Sequence, residues 1–119
     1  LSYHFMATKT DGTLWVWGSN GTGELGLNEA DGCCGPTSDY SSPVQLPGTT
    51  WSQVSSGNET SYAIKTDGTA WSWGNGDNGR LGHNNQTRYS SPIQIGSDTS
   101  WSKIFGAQNQ GFFLKDIPL

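Results

Sequence analysis

The segment Lys9-Thr10-Asp11-Gly12-Thr13-Leu14-Trp15-Val16-Trp17-Gly18 returns 56 residues later as Lys65-Thr66-Asp67-Gly68-Thr69-Ala70-Trp71-Ser72-Trp73-Gly74. Gly23-Glu24-Leu25-Gly26 returns at the same offset as Gly79-Arg80-Leu81-Gly82. Ser41-Ser42-Pro43-Val44-Gln45-Leu46 returns as Ser90-Ser91-Pro92-Ile93-Gln94-Ile95 at an offset of 49, and Trp51-Ser52-Gln53-Val54 as Trp101-Ser102-Lys103-Ile104 at 50. The first copy therefore holds about seven extra residues near Asn28–Asp39, where Cys33, Cys34 and Pro36 lie. A third copy begins at Gly111-Phe112-Phe113-Leu114-Lys115, but Ile117 and Pro118 stand where its Asp-Gly turn should be. A repeat near fifty residues long is one supersecondary unit that buries its apolar faces against neighbours. The copies divide the chain into 1–59, 60–110 and a partial third, 111–119.

Each copy reads as short strands joined by turns. Tyr62–Lys65 is strand-like, and Thr66-Asp67-Gly68-Thr69 is a tight turn in which glycine supplies a positive φ. On the returning strand, period-two alternation places Thr69, Trp71 and Trp73 on one face, as it does Thr13, Trp15 and Trp17 in the first copy. Because Trp15, Trp17, Trp71 and Trp73 repeat at fixed strand positions, they are expected in the core. Pro92 opens a third strand at a sheet edge, where a missing N–H costs nothing. Trp101–Ile104 supplies a fourth. No stretch sustains a 3.6-residue apolar period, so helix is expected to be nearly absent. Four short antiparallel strands per copy describe a blade of a β-propeller, giving two complete blades and the start of a third.

The combination of Lys-Thr-Asp-Gly-Thr, Trp-x-Trp-Gly, Asn-x-x-Gly-x-Leu-Gly and Ser-Pro-x-Gln resembles the repeats of the regulator of chromosome condensation family. Asn20, Gly23, Leu25 and Gly26 carry the loop signature, with Asn78, Gly79, Leu81 and Gly82 in the second copy. The resemblance implies an all-β, seven-bladed propeller, and its polar, tryptophan-rich style is closer to bacterial and bacteriophage copies. Seven blades need about 350 residues, so the chain is expected to be part of a longer propeller or to assemble from copies. Each Trp left exposed on an outer face forgoes several kcal/mol, at about 25 cal/mol/Å² over roughly 200 Å².

Composition removes several alternatives. Hydrophobic residues are 32% and charged residues 13% of the chain, and the net charge is −4. Six scattered Lys and Arg give no basic footprint for nucleic acid. Apolar runs such as Leu14–Trp17 and Phe112–Leu114 are far too short for a membrane-spanning helix. Six Trp, four Tyr and four Phe argue against disorder. Cys33 and Cys34, being adjacent, suit free thiols better than a strained vicinal disulfide, and no His or second Cys pair lies nearby to complete a metal site. The chain begins at Leu1 without a visible export signal.

Catalytic constellations are scarce. There is no Gly-x-Ser-x-Gly elbow and no phosphate loop with lysine, and no cofactor motif is present. Asp11-Gly12 and Asp67-Gly68 are explained by turn formation, and Gly26 and Gly82 by the repeated loop. His4 reads as a histidine packed and hydrogen-bonded between blades. Asn75–Gly79 resembles a calcium loop but lacks the later bidentate Glu. Asn20, Asn58 and Asn85 head glycosylation sequons that matter only in an exported protein.

Binding is expected in the variable loops 21–40 and 76–89, which carry Asn28, Tyr40, Arg88 and Tyr89; the two tyrosines could also present a sugar platform. Three functions compete. The leading one is a non-enzymatic scaffold that presents its loops to a protein or glycan, in a virion, outside the cell or at a cell surface. The second, implied by the resemblance, is guanine-nucleotide exchange or chromatin-type regulation. The third is an enzyme using the central channel, to which low charge and sparse His give least support.

Overall fold

The computed structural model describes residues 3–27, 39–76, 79–83, 89–107 and 110–115. Among these the chain forms nine strands: β1 (His4–Thr8), β2 (Leu14–Gly18), β3 (Tyr40–Leu46), β4 (Trp51–Ser56), β5 (Thr60–Lys65), β6 (Ala70–Gly74), β7 (Tyr89–Gln94), β8 (Trp101–Ala107) and β9 (Gln110–Lys115). All pairings are antiparallel meanders between consecutive strands: β1-β2-β3, then β4-β5-β6-β7, then β8-β9. The fold is all-β, with a four-stranded antiparallel sheet as the complete unit.

Sequence copies and sheets are out of phase. The strand at Trp51–Ser56, the last of copy one by sequence, pairs with β5 and opens the second sheet. Trp101–Ala107 opens the third sheet in the same way. The nine strands therefore divide three, four and two rather than four, four and one. The cause lies in the hairpin turns. Gly12 O accepts the amide of Trp51 at 3.0 Å, and Gly68 O accepts that of Trp101 at 3.1 Å. Each turn thus captures the chain after β3 or β7 and starts it on the next sheet.

These turns are built identically. Asp11 Oδ1 accepts the Thr13 amide at 3.1 Å and the Thr13 hydroxyl at 2.7 Å; Asp67 does the same for Thr69 at 3.0 and 2.6 Å. The threonine hydroxyl in turn accepts an indole N–H, from Trp15 at 3.0 Å and from Trp71 at 2.7 Å. These bonds, led by the threonine hydroxyl, hold both aspartates below the usual carboxylate range. Lys9 lies 4.2 Å over the Trp15 ring, and Lys65 lies 4.1 and 4.8 Å over Trp71 and Trp51.

Two apolar layers fill the spaces between sheets. Leu14, Val16, Leu25, Leu46, Trp51, Ala63 and Trp73 form the first, between sheets one and two. Tyr62, Ile64 and Ile104 form the second, with Trp101 and Phe113 against them. The expected tryptophan core needs correction. Trp73 is fully buried and Trp71 is half-buried against Trp51, but Trp15 and Trp17 face away from sheet two and are only half-buried. The sealed face of β2 is Leu14 and Val16, because sheet two covers that side.

The turn glycines fix a testable constraint. Gly68 has φ +84°, and a Cβ there would stand 1.9 Å from Thr99 O. Gly68→Ala is expected to lower the unfolding free energy by about 2–3 kcal/mol. Gly21→Ala, with nothing within 4 Å, should stay within about 0.5 kcal/mol of the parent. Urea denaturation midpoints of the two variants make the comparison.

Candidate functional site at the loop end of the sheets

The meander sends both variable loops to one end. β2 and β6 finish there at Gly18 and Gly74, and the turn Gly57-Asn58-Glu59 joins β4 to β5 beside them. Glu59 is the centre of this end. It holds φ 57°, the only positive value at a non-glycine residue among the described residues, a conformation uncommon for such a side chain. The strained turn aims the Glu59 carbonyl at both loops, where it accepts the Asn75 amide at 2.9 Å and the Thr22 hydroxyl at 3.3 Å. Its carboxylate accepts Asn75 Nδ2 at 3.1 Å. Arg80 reaches the Asn58 carbonyl at 3.4 Å.

Beneath the turn a polar chain crosses between sheets. Ser61 Oγ donates to Glu24 O, and Trp73 Nε1 donates to the same oxygen at 2.9 Å. With the Ser61 proton so committed, His4 Nε2, 2.8 Å from Ser61 Oγ, must be the donor, which assigns the Nε2–H tautomer. Burial pushes His4 down to about 4, against the raising effects of the Thr60 backbone and the Glu59 charge. Burial also raises the Glu24 carboxyl, whose Oε1 accepts the Thr22 amide. Asn20, fully buried, braces the first loop by accepting the Leu25 amide at 3.0 Å, and Asp39 accepts the Asn20 amide at 2.8 Å.

A second Ser–His pair repeats the pattern. Ser72 Oγ donates to Leu81 O at 2.7 Å and lies 2.9 Å from His83 Nε2. In both pairs the hydroxyl proton goes to a carbonyl and the imidazole donates. The histidine is therefore not positioned as a base, and both serines are fully buried. This geometry serves packing rather than nucleophilic attack.

The expected binding residues are placed differently from one another. Tyr40 and Tyr89 are not loop-tip residues: they begin β3 and β7, opposite Gly18 and Gly74, and pack partly buried against the first apolar layer. Asn28 and Arg88, with Cys33, Cys34 and Asn85, lie outside the described residues. Gly26 lies under the Trp73 indole, where a Cβ would stand 2.8 Å from Nε1, and Gly82 is exposed near Ile95. Sequence reasoning missed Glu24, Glu59, Ser61 and Ser72. Only the contrast of Gly-Glu-Leu-Gly with Gly-Arg-Leu-Gly hinted at a special residue between the two glycines. Among the described residues no cluster of three His, Cys, Asp or Glu could hold a metal, and no helix is long and apolar enough to cross a membrane.

The His4 chain predicts a pH dependence. The folded state keeps His4 neutral down to about 4, whereas the unfolded chain takes up the proton near 6.5. The unfolded state thus binds more protons across that window, and stability falls as pH drops from 6.5 to 4, by about 3 kcal/mol. Glu24, raised by burial, works in the opposite sense. His4→Gln installs the residue type that Gln110 supplies at the same position of the third copy, and it should abolish the His4 contribution. Guanidinium unfolding of both proteins at several pH values should show their stabilities converging as pH falls.

Comparison with known proteins gives this geometry a family. Residues 11–64 and 67–114 match the regulator of chromosome condensation (RCC1) repeat. The E3 ubiquitin-protein ligase HERC2 of Homo sapiens is 37% identical over 78 residues, covering 66% of this chain and 2% of that protein. The regulator of chromosome condensation of Xenopus laevis is 31% identical over 94 residues, covering 78% of this chain and 21% of that protein. Among solved structures, Prp20p from Saccharomyces cerevisiae superimposes with a TM-score of 0.77 at 18% identity, covering 97% of this chain and 30% of that one. Human WBSCR16 gives 0.76 at 20% identity, covering 94% and 28%. These structures establish the propeller fold, of which the chain spans less than a third. The relatives named here are eukaryotic, and the expected bacterial or phage-type character finds no support in them. On the repeat match across both copies, this chain belongs to the regulator of chromosome condensation repeat family.

Proposed function

We propose that the chain is a non-enzymatic binding and regulatory module of a propeller, which meets a protein partner at its loop end. The observation that carries this reading is the convergence of both loops on the strained Glu59 turn. The opposite end is occupied by hairpins whose carbonyls start the next sheets, so it has a structural task already. A rigid scaffold with sequence-variable loops at one end suits recognition. Two similar structures concern protein binding: one describes Prp20p with its binding properties to Gsp1p and histones, the other Kap60 bound to yeast RCC1. A protein is therefore the preferred partner class over a glycan. A virion or cell-surface setting rests on the polar sequence style alone.

The test uses charge-bearing substitutions at the two ends. A partner retained by the full chain should be lost from the loop-end pair Gly21→Arg and Asn58→Arg. It should be kept by the hairpin-end pair Thr49→Arg and Ser97→Arg, all four sites being solvent-accessible. Loss confined to the hairpin-end pair contradicts the proposal. A nucleotide-release assay with a panel of small GTPases should show no acceleration; stimulated release would favour the exchange reading instead.

A further inference from the structure

The Ser-Pro-x-Gln segment of the second copy forms a sheet margin with a defined hydrogen-bonding pattern. β7 is the last strand in the order β4-β5-β6-β7, and among the described residues no strand lies on its other side. Its ladder to β6 fixes the direction of each peptide group. The Ile95 amide donates to Ala70 O at 2.7 Å, and a trans peptide plane turns each carbonyl opposite to the amide that follows it. The Gln94 carbonyl therefore points away from β6. Peptide groups alternate along an antiparallel ladder, so the Gln94 amide points outward too, and with it the Pro92 carbonyl. Proline brings no N–H at 92. The margin thus offers an acceptor at Pro92 and a donor and an acceptor at Gln94.

Beside this margin lies a groove of about 340 Å³, at the small end of the range for ligand pockets. Gly26 and Leu27 of the first loop, Leu46 and Pro47 at the end of β3, and Pro92 line it, and none of its lining residues is charged. Gln94 lies opposite Trp71 and shares its face of the sheet. That face looks toward sheet one, since Trp71 packs on Trp51 of the first apolar layer. Pro92, two residues from Gln94, lies on the same face. A strand laid along the margin therefore turns every second side chain toward the groove.

We propose that this margin binds an extended segment of a partner protein, antiparallel to β7, with two aliphatic side chains two residues apart seated in the groove. The segment's residue opposite Gln94 exchanges both main-chain bonds with it. The residue opposite Pro92 donates its amide to the proline carbonyl. Main-chain bonds supply affinity and the groove supplies selectivity, the division of labour in strand addition. The outward peptide groups favour an extended backbone over a helix, whose own main-chain groups are spent internally. A second copy of this chain fits less well. Two β7 margins laid together share two bonds at Gln94, and each Pro92 carbonyl then faces Gly96, whose φ of +64° has left the strand. Pro92 thus guards the margin against its own kind, as edge prolines do, while leaving three bonds for a foreign strand.

Fluorescence anisotropy of a labelled Thr-Leu-Thr-Leu-Thr peptide, titrated with the full chain, tests this. Binding should be saturable. N-methylation of the first leucine removes the bond to Gln94 O and should weaken binding about tenfold, whereas N-methylation of the central threonine, whose amide faces away from β7, should not. Gln94→Pro removes only an outward N–H at a sheet edge. It should keep the parental thermal midpoint and weaken binding about tenfold. Pro47→Glu, at an exposed rim position, should abolish binding by bringing a charge to the groove. The loop-end pair Gly21→Arg and Asn58→Arg should bind the peptide as the parent does, which separates this site from the loop-end reading. Absence of saturable binding to the parent overturns the proposal. So does parental affinity for the N-methyl-leucine peptide or in folded Gln94→Pro. A peptide-free dimer in sedimentation that Gln94→Pro dissolves would give the margin to a second copy instead, and overturns it as well.

Discussion

One carbonyl oxygen, that of Glu24, joins the first two sheets. It stands in a space that water has left, and it receives both the Ser61 hydroxyl and the Trp73 indole. A buried acceptor without those donors would cost about 1–3 kcal/mol, so the loop that carries it cannot drift from sheet two. Everything nearby follows from that fixed point. Gly26 is bare so that the indole can reach the oxygen, Asn20 braces the loop from behind, and His4 completes the chain as a donor. Apolar burial supplies most of the cohesion between sheets, but this polar contact sets their register.

The same fixed point explains why the loop end can be both strained and ordered. Glu59 adopts a backbone conformation that costs energy, and its carbonyl is rewarded by hydrogen bonds from two separate loops. Such strain persists only where the surroundings over-determine it. The surroundings here are the Glu24 layer below and the Asn75 amide above. A surface prepared in this way presents loop residues without first having to order its base.

The sequence made strands, turns and the repeat legible because each depends on neighbours within a few residues. Asp-Gly between threonines closes a turn whatever lies beyond it, and Trp-x-Trp alternation declares a strand. What could not be read is what a face touches. Trp17 and Trp73 sit in nearly identical local sequence, yet one is half-buried and the other sealed, because among the described residues only the second has a sheet against it. His4 could be read as an inter-blade histidine, but its partner Ser61 lies 57 residues away with no local mark. Strand grouping failed for the same reason: nothing in Trp51–Ser56 says whether it turns back to β3 or onward to β5. Tyr40 and Tyr89 looked like loop residues because the Ser-Ser-Pro signal beside them hid the start of a strand.

The offset between copy and sheet has a consequence for how the array can come apart. Because each copy lends its last strand to the following sheet, adjoining copies overlap like roof shingles rather than meeting at a seam. One copy cannot unravel while its neighbour stays whole, since its loss strips the neighbour of its first strand. A cut at the sequence boundary always leaves a lent strand on one side and an open ladder on the other.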